Sequence, residues 1–346
     1  MEALLDVHWL YLLIAAFAGG AFGAAIGALP AFVFTGIMVI AGEAGGLDGV
    51  TGSVAFGAFF GPHVSFAGGA AAAAYAAKQG YMTSGFDFHE AKNITYALGP
   101  KVDVMVVGGL FGVLGALIRQ VSAGFGLPWD PIAMGVVLSA LFHRLILGYR
   151  LVGVVQGAGL FDVTPFERGE HRSSDAGTVP DHVKPATERL AVEPWLPHQY
   201  RWTGVGFLGL TAGLLGAYAA VETGSPFLAF GISAASLLFL NLGVEKFPVT
   251  HHITLPASTI ALAVIASGDG VREGLLTGAS DVTGLMAGAL FGVICALFGE
   301  AFERVFYAHG DTHWDPPAAA IVFGTFLIAL LYFGGVLGTT VWVPVP

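Results

Sequence analysis

Two histidines occupy matching places in two similar stretches of this sequence. His63 and His252 are each followed two residues later by a hydroxyl side chain, Ser65 and Thr254, and each lies in an apolar run. Ionisable groups within membrane segments are costly, and they usually mark binding sites or solute pathways. The pair therefore predicts a site inside a membrane.

Breaks in the two apolar runs predict where helices begin. Pro62 lacks a backbone donor and favours the first turn of a helix, so residues 62–77 are expected to form a half-helix that starts inside the membrane. Residues 248–255 of the second stretch again lie at the start of an apolar helix. Two converging helix N-termini offer free N–H groups and positive potential, which suit an anion or a carbonyl-bearing solute. The predicted substrate-binding residues are His63, Ser65, Asn241, His251, His252 and Thr254.

A purely structural role is the alternative for these residues. Buried histidines also cap helices or bond to backbone groups without touching any ligand. Asn241, near the end of an apolar run, is as well suited to a bond between helices as to a ligand contact.

The tripeptide Trp-Asp-Pro occurs twice, each time before an apolar run, with Asp130 and Asp315 at its centre. Aspartate is a favoured N-cap, proline a favoured first helical residue, and tryptophan prefers the membrane interface. The motif therefore predicts helix capping by Asp130 and Asp315, with a gating role as the alternative.

Histidines and acids also cluster in residues 309–313, with Glu300 and Glu303 earlier in the chain. Histidine and carboxylate ligands together suit a divalent cation such as zinc. The two histidines of this run, however, flank a glycine-containing loop, so we interpret it as a surface loop without metal. No metal site and no cofactor are predicted.

Composition places the chain in the bilayer. Of 346 residues 55% are hydrophobic and only 11% charged, and the mean hydropathy is +0.75. Soluble domains carry about 25% charged residues. The net charge of -10 gives no reason to expect nucleic acid as a partner. Phosphate-binding loops, His-Glu-x-x-His and Gly-x-Ser-x-Gly are not found in the sequence, so we do not predict an enzyme.

Apolar stretches of near-spanning length fall into two sets of five. They lie roughly at residues 8–28, 30–42, 50–77, 103–122 and 130–150, and at 203–221, 226–243, 248–267, 281–302 and 316–338. A polar, proline-rich segment separates the sets, which predicts a first five-helix repeat over residues 1–150, a polar linker over 151–200 and a second repeat over 201–346. The matches between the sets keep the same order: Trp9 with Trp202, Pro30 with Pro226, His63 with His252, residues 110–113 with 290–293, and residues 129–131 with 314–316.

An odd number of helices per repeat inverts the second copy. With both termini outside, eight Lys and Arg residues of the short loops fall inside against two outside, which fits the positive-inside rule. The fold class we expect is an all-α polytopic membrane protein of about ten transmembrane helices, built as two inverted five-helix repeats with interrupted helices near the midplane. The linker is predicted to be cytoplasmic.

Inverted repeats are the build of many transporters, with the substrate site where the repeats meet. The sequence therefore predicts a multi-pass cell-membrane transporter or channel for a small polar or anionic solute. Two alternatives remain: a divalent-metal transporter with His ligands, and a non-transporting membrane subunit that docks through its linker. Helix faces rich in glycine would also allow a homo-oligomer within the lipid bilayer.

Overall fold

The protein is all-helical. The computed structural model describes residues 7–47, 49–172 and 189–346, and within them the chain forms helices and loops and no β-strand. The interior of the predicted linker, residues 173–188, lies outside the described residues.

The first half contains five helices and two short turns. The helices are α1 (Val7–Ile26), α2 (Ala28–Glu43), α3 (Ser65–Lys78), α4 (Val102–Gly124) and α5 (Pro131–Leu147). A π-helical turn, Val50–Ala55, follows α2, and a 3-10 turn, Glu90–Lys92, follows α3. The chain between residues 56 and 64 is not helical, so α3 starts well inside the apolar run.

The second half repeats this order. After the one-turn helix α6 (Thr164–Glu167) come α7 (Trp202–Thr223), α8 (Leu228–Asn241), α9 (His251–Ile265), α10 (Asp281–Phe306) and α11 (Pro316–Phe333). α9 contains Pro256 in its interior.

Five helices of the described chain are long and apolar enough to cross a membrane. They are α1, α4, α7, α10 and α11. Four other helices, α2, α5, α8 and α9, are apolar but shorter, at 14 to 17 residues. A full crossing takes about 20 residues. The protein is thus a helical protein with several membrane-spanning helices, while a total of ten spans stays a prediction.

The two halves pack their helices in the same way. In each half the first helix lies against the fourth, through glycines that leave no room for side chains: Gly20 meets Gly108 and Gly112, and Gly213 meets Gly288 and Gly292. Contacts of this kind let helix backbones approach closely. In each half the third helix packs on both members of this pair.

Contacts between the halves join corresponding helices. α2 packs on α8 with Gly36 beside Ala235 and Glu43 hydrogen-bonded to Ser225, so these two helices run antiparallel. α5 packs on α11 with the start of α5 beside Thr325 and its end beside Thr312, which is again an antiparallel pair.

Loops gather at two ends of the molecule. We call the linker end the part formed by residues 79–101, 148–172, 189–201, 242–250 and 307–315, which bond to one another. The opposite end holds residues 266–280 and the C-terminal segment, where Arg272 and Leu275 bond to backbone carbonyls of residues 338 and 335.

Candidate functional site

A cavity of about 740 Å³ lies between the two halves of the protein. Its walls come from α2, α5, α8, α9 and α11 and from loops of the linker end. Corresponding residues of the two halves line it in pairs: Asp130 and Asp315, Ala133 and Ala318, Val136 and Ile321, Phe66 and Leu255. The wall therefore follows the order of the repeated helices.

Aromatic side chains close the cavity toward the opposite end. Phe56 packs on Phe227 with 5.3 Å between ring centroids and on Phe230 with 5.7 Å. Trp342 packs on Phe227 at 5.3 Å, and its Nε1–H donates to Thr259 Oγ1 at 2.9 Å. This hydrogen bond fixes the indole ring, so the aromatic group forms a defined wall.

A chain of ring contacts crosses the middle of the cavity wall. Phe32 of α2 lies 4.8 Å from the ring of His251 and 5.8 Å from that of Phe66. Phe66 meets the ring of His313 edge-on at 5.7 Å. Two histidines from the second half are thus joined by two phenylalanines from the first half.

His313 and Asp315 form a hydrogen-bonded pair on the wall. Nε2 of His313 lies 3.0 Å from Asp315 Oδ1, while Asp315 Oδ2 accepts the backbone N–H of Ala318 at 2.8 Å and caps α11. Because a carboxylate only accepts, the proton lies on Nε2 of His313. Nδ1 of a neutral His313 is then an acceptor, and this buried atom has no hydrogen-bond partner.

Asp130 caps α5 and lies on the cavity wall. Its Oδ1 accepts the N–H of Ile132 at 2.8 Å, and its own N–H donates to Thr325 Oγ1 at 2.9 Å. Thr325 is near the middle of α11, so the carboxylate lies deep in the helical bundle. Among the described residues no basic side chain forms an ion pair with Asp130.

His251, the first residue of α9, lines the cavity and is buried. Its Nδ1 also has no hydrogen-bond partner. The adjacent Thr250 contacts Ser233 of α8 through their hydroxyls at 2.7 Å, which ties the start of α9 to the neighbouring helix. Of the predicted substrate-binding residues, His251 is the one on the cavity wall.

The other predicted substrate-binding residues lie between packed helices. His63 is buried against Gly115 of α4 and Gly135 of α5. Ser65 lies against Gly23 of α1, and its hydroxyl faces the Gly61 carbonyl at 3.5 Å.

In the second half, His252 packs on Trp195 and next to Gly299, and Thr254 packs on Gly216. Asn241 is the last residue of α8, beside the lining residue Leu240. The matched histidines therefore contact different helices, each within its own half. They do not lie side by side on the cavity wall.

The run 309–313 is not the surface loop expected from its glycine and charges. His309, Thr312 and His313 are buried, because α5 and the linker cover the run: Arg144 donates to Thr312 Oγ1 at 2.9 Å and Arg172 to the His309 carbonyl at 3.0 Å. The expectation failed because burial under a distant segment leaves no local pattern. His313 thereby becomes a wall residue that the sequence did not indicate.

Charged residues of the linker end form a buried network. The carboxylate of Glu193 forms an ion pair with the Lys92 ammonium at 2.7 Å and accepts hydrogen bonds from Nε and Nη2 of Arg189. Nη1 of Arg189 also donates to Asp311 Oδ1 at 2.8 Å. Arg172 lies 3.7 Å from Asp311. Every charged side chain of this network has an oppositely charged neighbour.

Electrostatics of this network follow from burial and pairing. Burial alone would raise the pKa of Glu193, but Lys92 and Arg189 outweigh it and lower this pKa to about 2. Burial lowers the pKa of Lys92 to about 8, with Glu193 opposing the shift. Burial also lowers the pKa of His89, whose backbone N–H donates to Glu193, to about 3.

Nothing in the described chain resembles a metal centre. Within residues 7–47, 49–172 and 189–346 no three His, Cys, Asp or Glu side chains lie close enough together to hold a metal ion. The pair of His313 and Asp315 with the nearby His251 is a hydrogen-bonding group on an aromatic wall.

Comparison with known proteins gives a family without a described activity. The chain belongs to a family of unknown function, DUF7973, whose model matches residues 2–346. No curated protein and no solved structure matches the chain.

Proposed function

We propose that this protein is an integral membrane transporter or channel that moves a small solute through the cavity between its two halves. The observation that carries the proposal is the cavity itself, lined in pairs by corresponding residues of both halves. Ligand sites of repeat-built transporters lie at such interfaces.

Packing between the halves supports the proposed inverted repeat. α2 with α8 and α5 with α11 are corresponding helices, and each pair runs antiparallel, as two copies related by an axis in the membrane plane would do. With ten crossing segments, both termini lie outside and the linker end faces the cytoplasm. The basic residues of the short loops favour this orientation.

Short and interrupted helices support a pathway rather than a solid core. α3 and α9 begin inside their apolar runs, and α5 begins beside the middle of α11. Helix ends inside a bilayer are tolerated where they are buried in protein or line a cavity. Three of these features border the cavity: Pro62 before α3, His251 of α9 and Asp130 before α5.

The wall defines the general size and character of the solute. A volume of about 740 Å³ is within the range of small-molecule sites. Most lining side chains are aliphatic or aromatic, and the polar ones lie mainly at the linker end, with Asp130, His251, His313 and Asp315 on the inner wall. A solute with an apolar body and one polar group fits this wall better than a fully hydrated ion.

Filling the cavity tests the proposal. Ala318 lies on the wall, and Ala18 of α1 is an alanine of a membrane helix that is exposed on the outside of the bundle. We expect Ala318→Trp to obstruct the pathway and Ala18→Trp to leave it open. Uptake of choline, erythritol and benzenesulfonate into proteoliposomes measures the effect for a cation, a neutral solute and an anion.

The expected result is faster entry of at least one probe with the wild-type protein than with protein-free liposomes. That excess should disappear in Ala318→Trp and persist in Ala18→Trp. Entry of all three probes at the protein-free rate, or equal uptake by Ala318→Trp and wild type, contradicts the proposal.

A further inference from the structure

We infer that the cavity binds organic cations, with an ammonium group held between the carboxylate of Asp130 and the aromatic wall. This inference rests on the proposed function for its biological meaning, but binding itself is a separate property. It names a ligand of opposite charge to the anion that the helix N-termini predict.

Charge on the inner wall is negative. Asp130 and Asp315 are the ionisable carboxyl groups there, and both are buried. Lys92 also borders the cavity, but its ammonium is held 2.7 Å from Glu193 and donates to the Tyr307 carbonyl. The remaining charged lining residues, Asp87, Glu245 and Lys246, are exposed at the linker end. An entering anion would therefore meet no unpaired cation on the inner wall.

Asp130 has bonding capacity to spare. Its carboxylate accepts hydrogen bonds from the backbone N–H groups of Ile132 and Ala133, and no side chain of the described residues donates to it. A carboxylate without a basic partner inside a membrane protein is costly. A bound cation would offset that cost, because it supplies the missing opposite charge.

The N-termini of α5 and α11 do not supply an anion site. Asp130 accepts from the N–H of Ile132, and Asp315 from that of Ala318. The positive ends of α5 and α11 are thus already occupied by side-chain carboxylates. Their partial charges stabilise these aspartates and leave little for a ligand.

Aromatic rings supply the second half of a cation site. Phe32, Phe66 and Phe230 lie along the inner wall, and Phe56, Phe227 and Trp342 close it. The faces of such rings attract quaternary and protonated amines. A hydrophobic cage beside a carboxylate is the arrangement that recognises an ammonium ion with an apolar substituent.

Two acceptor atoms add a preference within this class. Nδ1 of His313, whose Nε2 is bonded to Asp315, is buried without a partner, and so is Nδ1 of His251. Both residues line the cavity. A small rotation of either ring would let it accept a hydrogen bond from a ligand N–H or O–H.

Three probes of similar size and different charge test the inference. Benzyltrimethylammonium, benzyl alcohol and benzenesulfonate share a phenyl ring, and their affinities are measured by titration calorimetry on the full-length protein in detergent at mildly alkaline pH. Loss of binding in Ala318→Trp, which fills the cavity, reports whether binding is at the cavity. We expect the cation to bind at least about tenfold more tightly than either other probe, a difference of about 1.4 kcal/mol.

Asp130→Asn is the matched variant, because asparagine keeps the helix cap and removes the charge. It should abolish the preference for the cation. Asp281→Asn, at the exposed start of α10 and outside the cavity, should keep it. Should Asp130→Asn fail to fold, the three probes on the wild-type protein still decide the sign of the preferred charge.

Equal or tighter binding of benzenesulfonate overturns the inference, as does undetectable cation binding at millimolar concentration. A cation preference retained by a folded Asp130→Asn also overturns it. The flux assay tests transport separately from binding. Tight cation binding without uptake would refute transport and support the cation site. Uptake without a charge preference in binding would refute the cation site and support transport.

Discussion

Buried charge occurs in two regions of this protein, and the regions differ in how it is balanced. At the linker end, Arg189 lies between Glu193 and Asp311, and Lys92 bonds to Glu193 as well. On the cavity wall, Asp130 has no basic partner among the described residues. Complete pairing indicates a structural role, because nothing is left to bind. An unpaired buried carboxylate indicates a site.

The two regions are also built from different segments of the chain. Network residues come from three distant segments, the loop after α3, the linker and the loop before α11. The network therefore fastens the described parts of the linker, residues 151–172 and 189–200, to both halves. Linker residues Trp195 and Leu196 in turn border the cavity, so the structural region closes one side of the proposed site.

The largest expected effect comes from breaking the network. Arg189→Met removes the shared partner of the buried Glu193 and the partly buried Asp311, and truncating one partner of a buried pair costs about 3 to 5 kcal/mol. We expect a drop of that size in the free energy of unfolding, measured in mixed micelles. Arg168→Met is the control, since Arg168 pairs with Glu170 at the surface and should cost less than about 1 kcal/mol. Equal effects of the two variants would contradict the comparison.

The second-largest expected effect is a loss of folding stability at acidic pH, caused by His89 and Glu193 at the linker end. The folded-state pKa of His89 is about 3 against an ordinary 6.5, and that of Glu193 is about 2 against 4.5. Both groups bind protons more readily when unfolded, so their contribution is complete above their ordinary pKa and is lost as pH falls. Below pH 6.5, His89 alone lowers stability by up to about 1.4 kcal/mol per pH unit.

Thermal unfolding measured across this acidic range checks the pH prediction. His89→Asn keeps an acceptor at the start of the turn Glu90–Lys92 and removes the titrating ring, so its stability should decline less steeply between pH 6.5 and 4.5. The same slope in the variant and the wild type would mean that His89 does not contribute.

The smallest expected effect belongs to the cavity. Asp130→Asn preserves the N-cap and removes a charge that has no partner, so the free energy of unfolding should change by less than about 1 kcal/mol. A slight gain would also agree with the proposed role. Chemical unfolding of this variant beside Arg189→Met gives the comparison directly. A loss as large as that of Arg189→Met would show that Asp130 is structural, like the network residues.

Much of the helical framework was predictable from the sequence. The apolar stretches expected at 103–122 and 281–302 correspond to α4 and α10. Pro62 predicted the start of a helix, and the helix begins three residues later, at Ser65. Hydropathy and helix-start residues are local properties, so they can be read without knowing the fold. The number of spans could not be settled in the same way, since α2, α5, α8 and α9 are shorter than a full crossing.

The candidate site was only partly predictable. His251 belongs to the predicted set and lines the cavity, whereas His63 and His252 pack against glycines of their own halves. Matching residue types in two stretches of sequence do not show which face of a helix meets the other half. Phe32 and Phe66 carried no signal at all, because phenylalanine in an apolar run is expected everywhere in a membrane protein.

By itself the sequence predicted apolar helices of membrane-spanning length, the aspartate-proline starts of α5 and α11 and a similarity between its two parts. Composition, proline and aspartate placement, and ordered matches are enough for those conclusions, since each depends on neighbours along the chain. Only the tertiary structure decided that His313 is buried, that Asp130 forms no ion pair within the described residues and that a cavity lies between the halves. These facts depend on which distant surfaces meet, and side-chain pairing between segments more than 100 residues apart leaves no local trace.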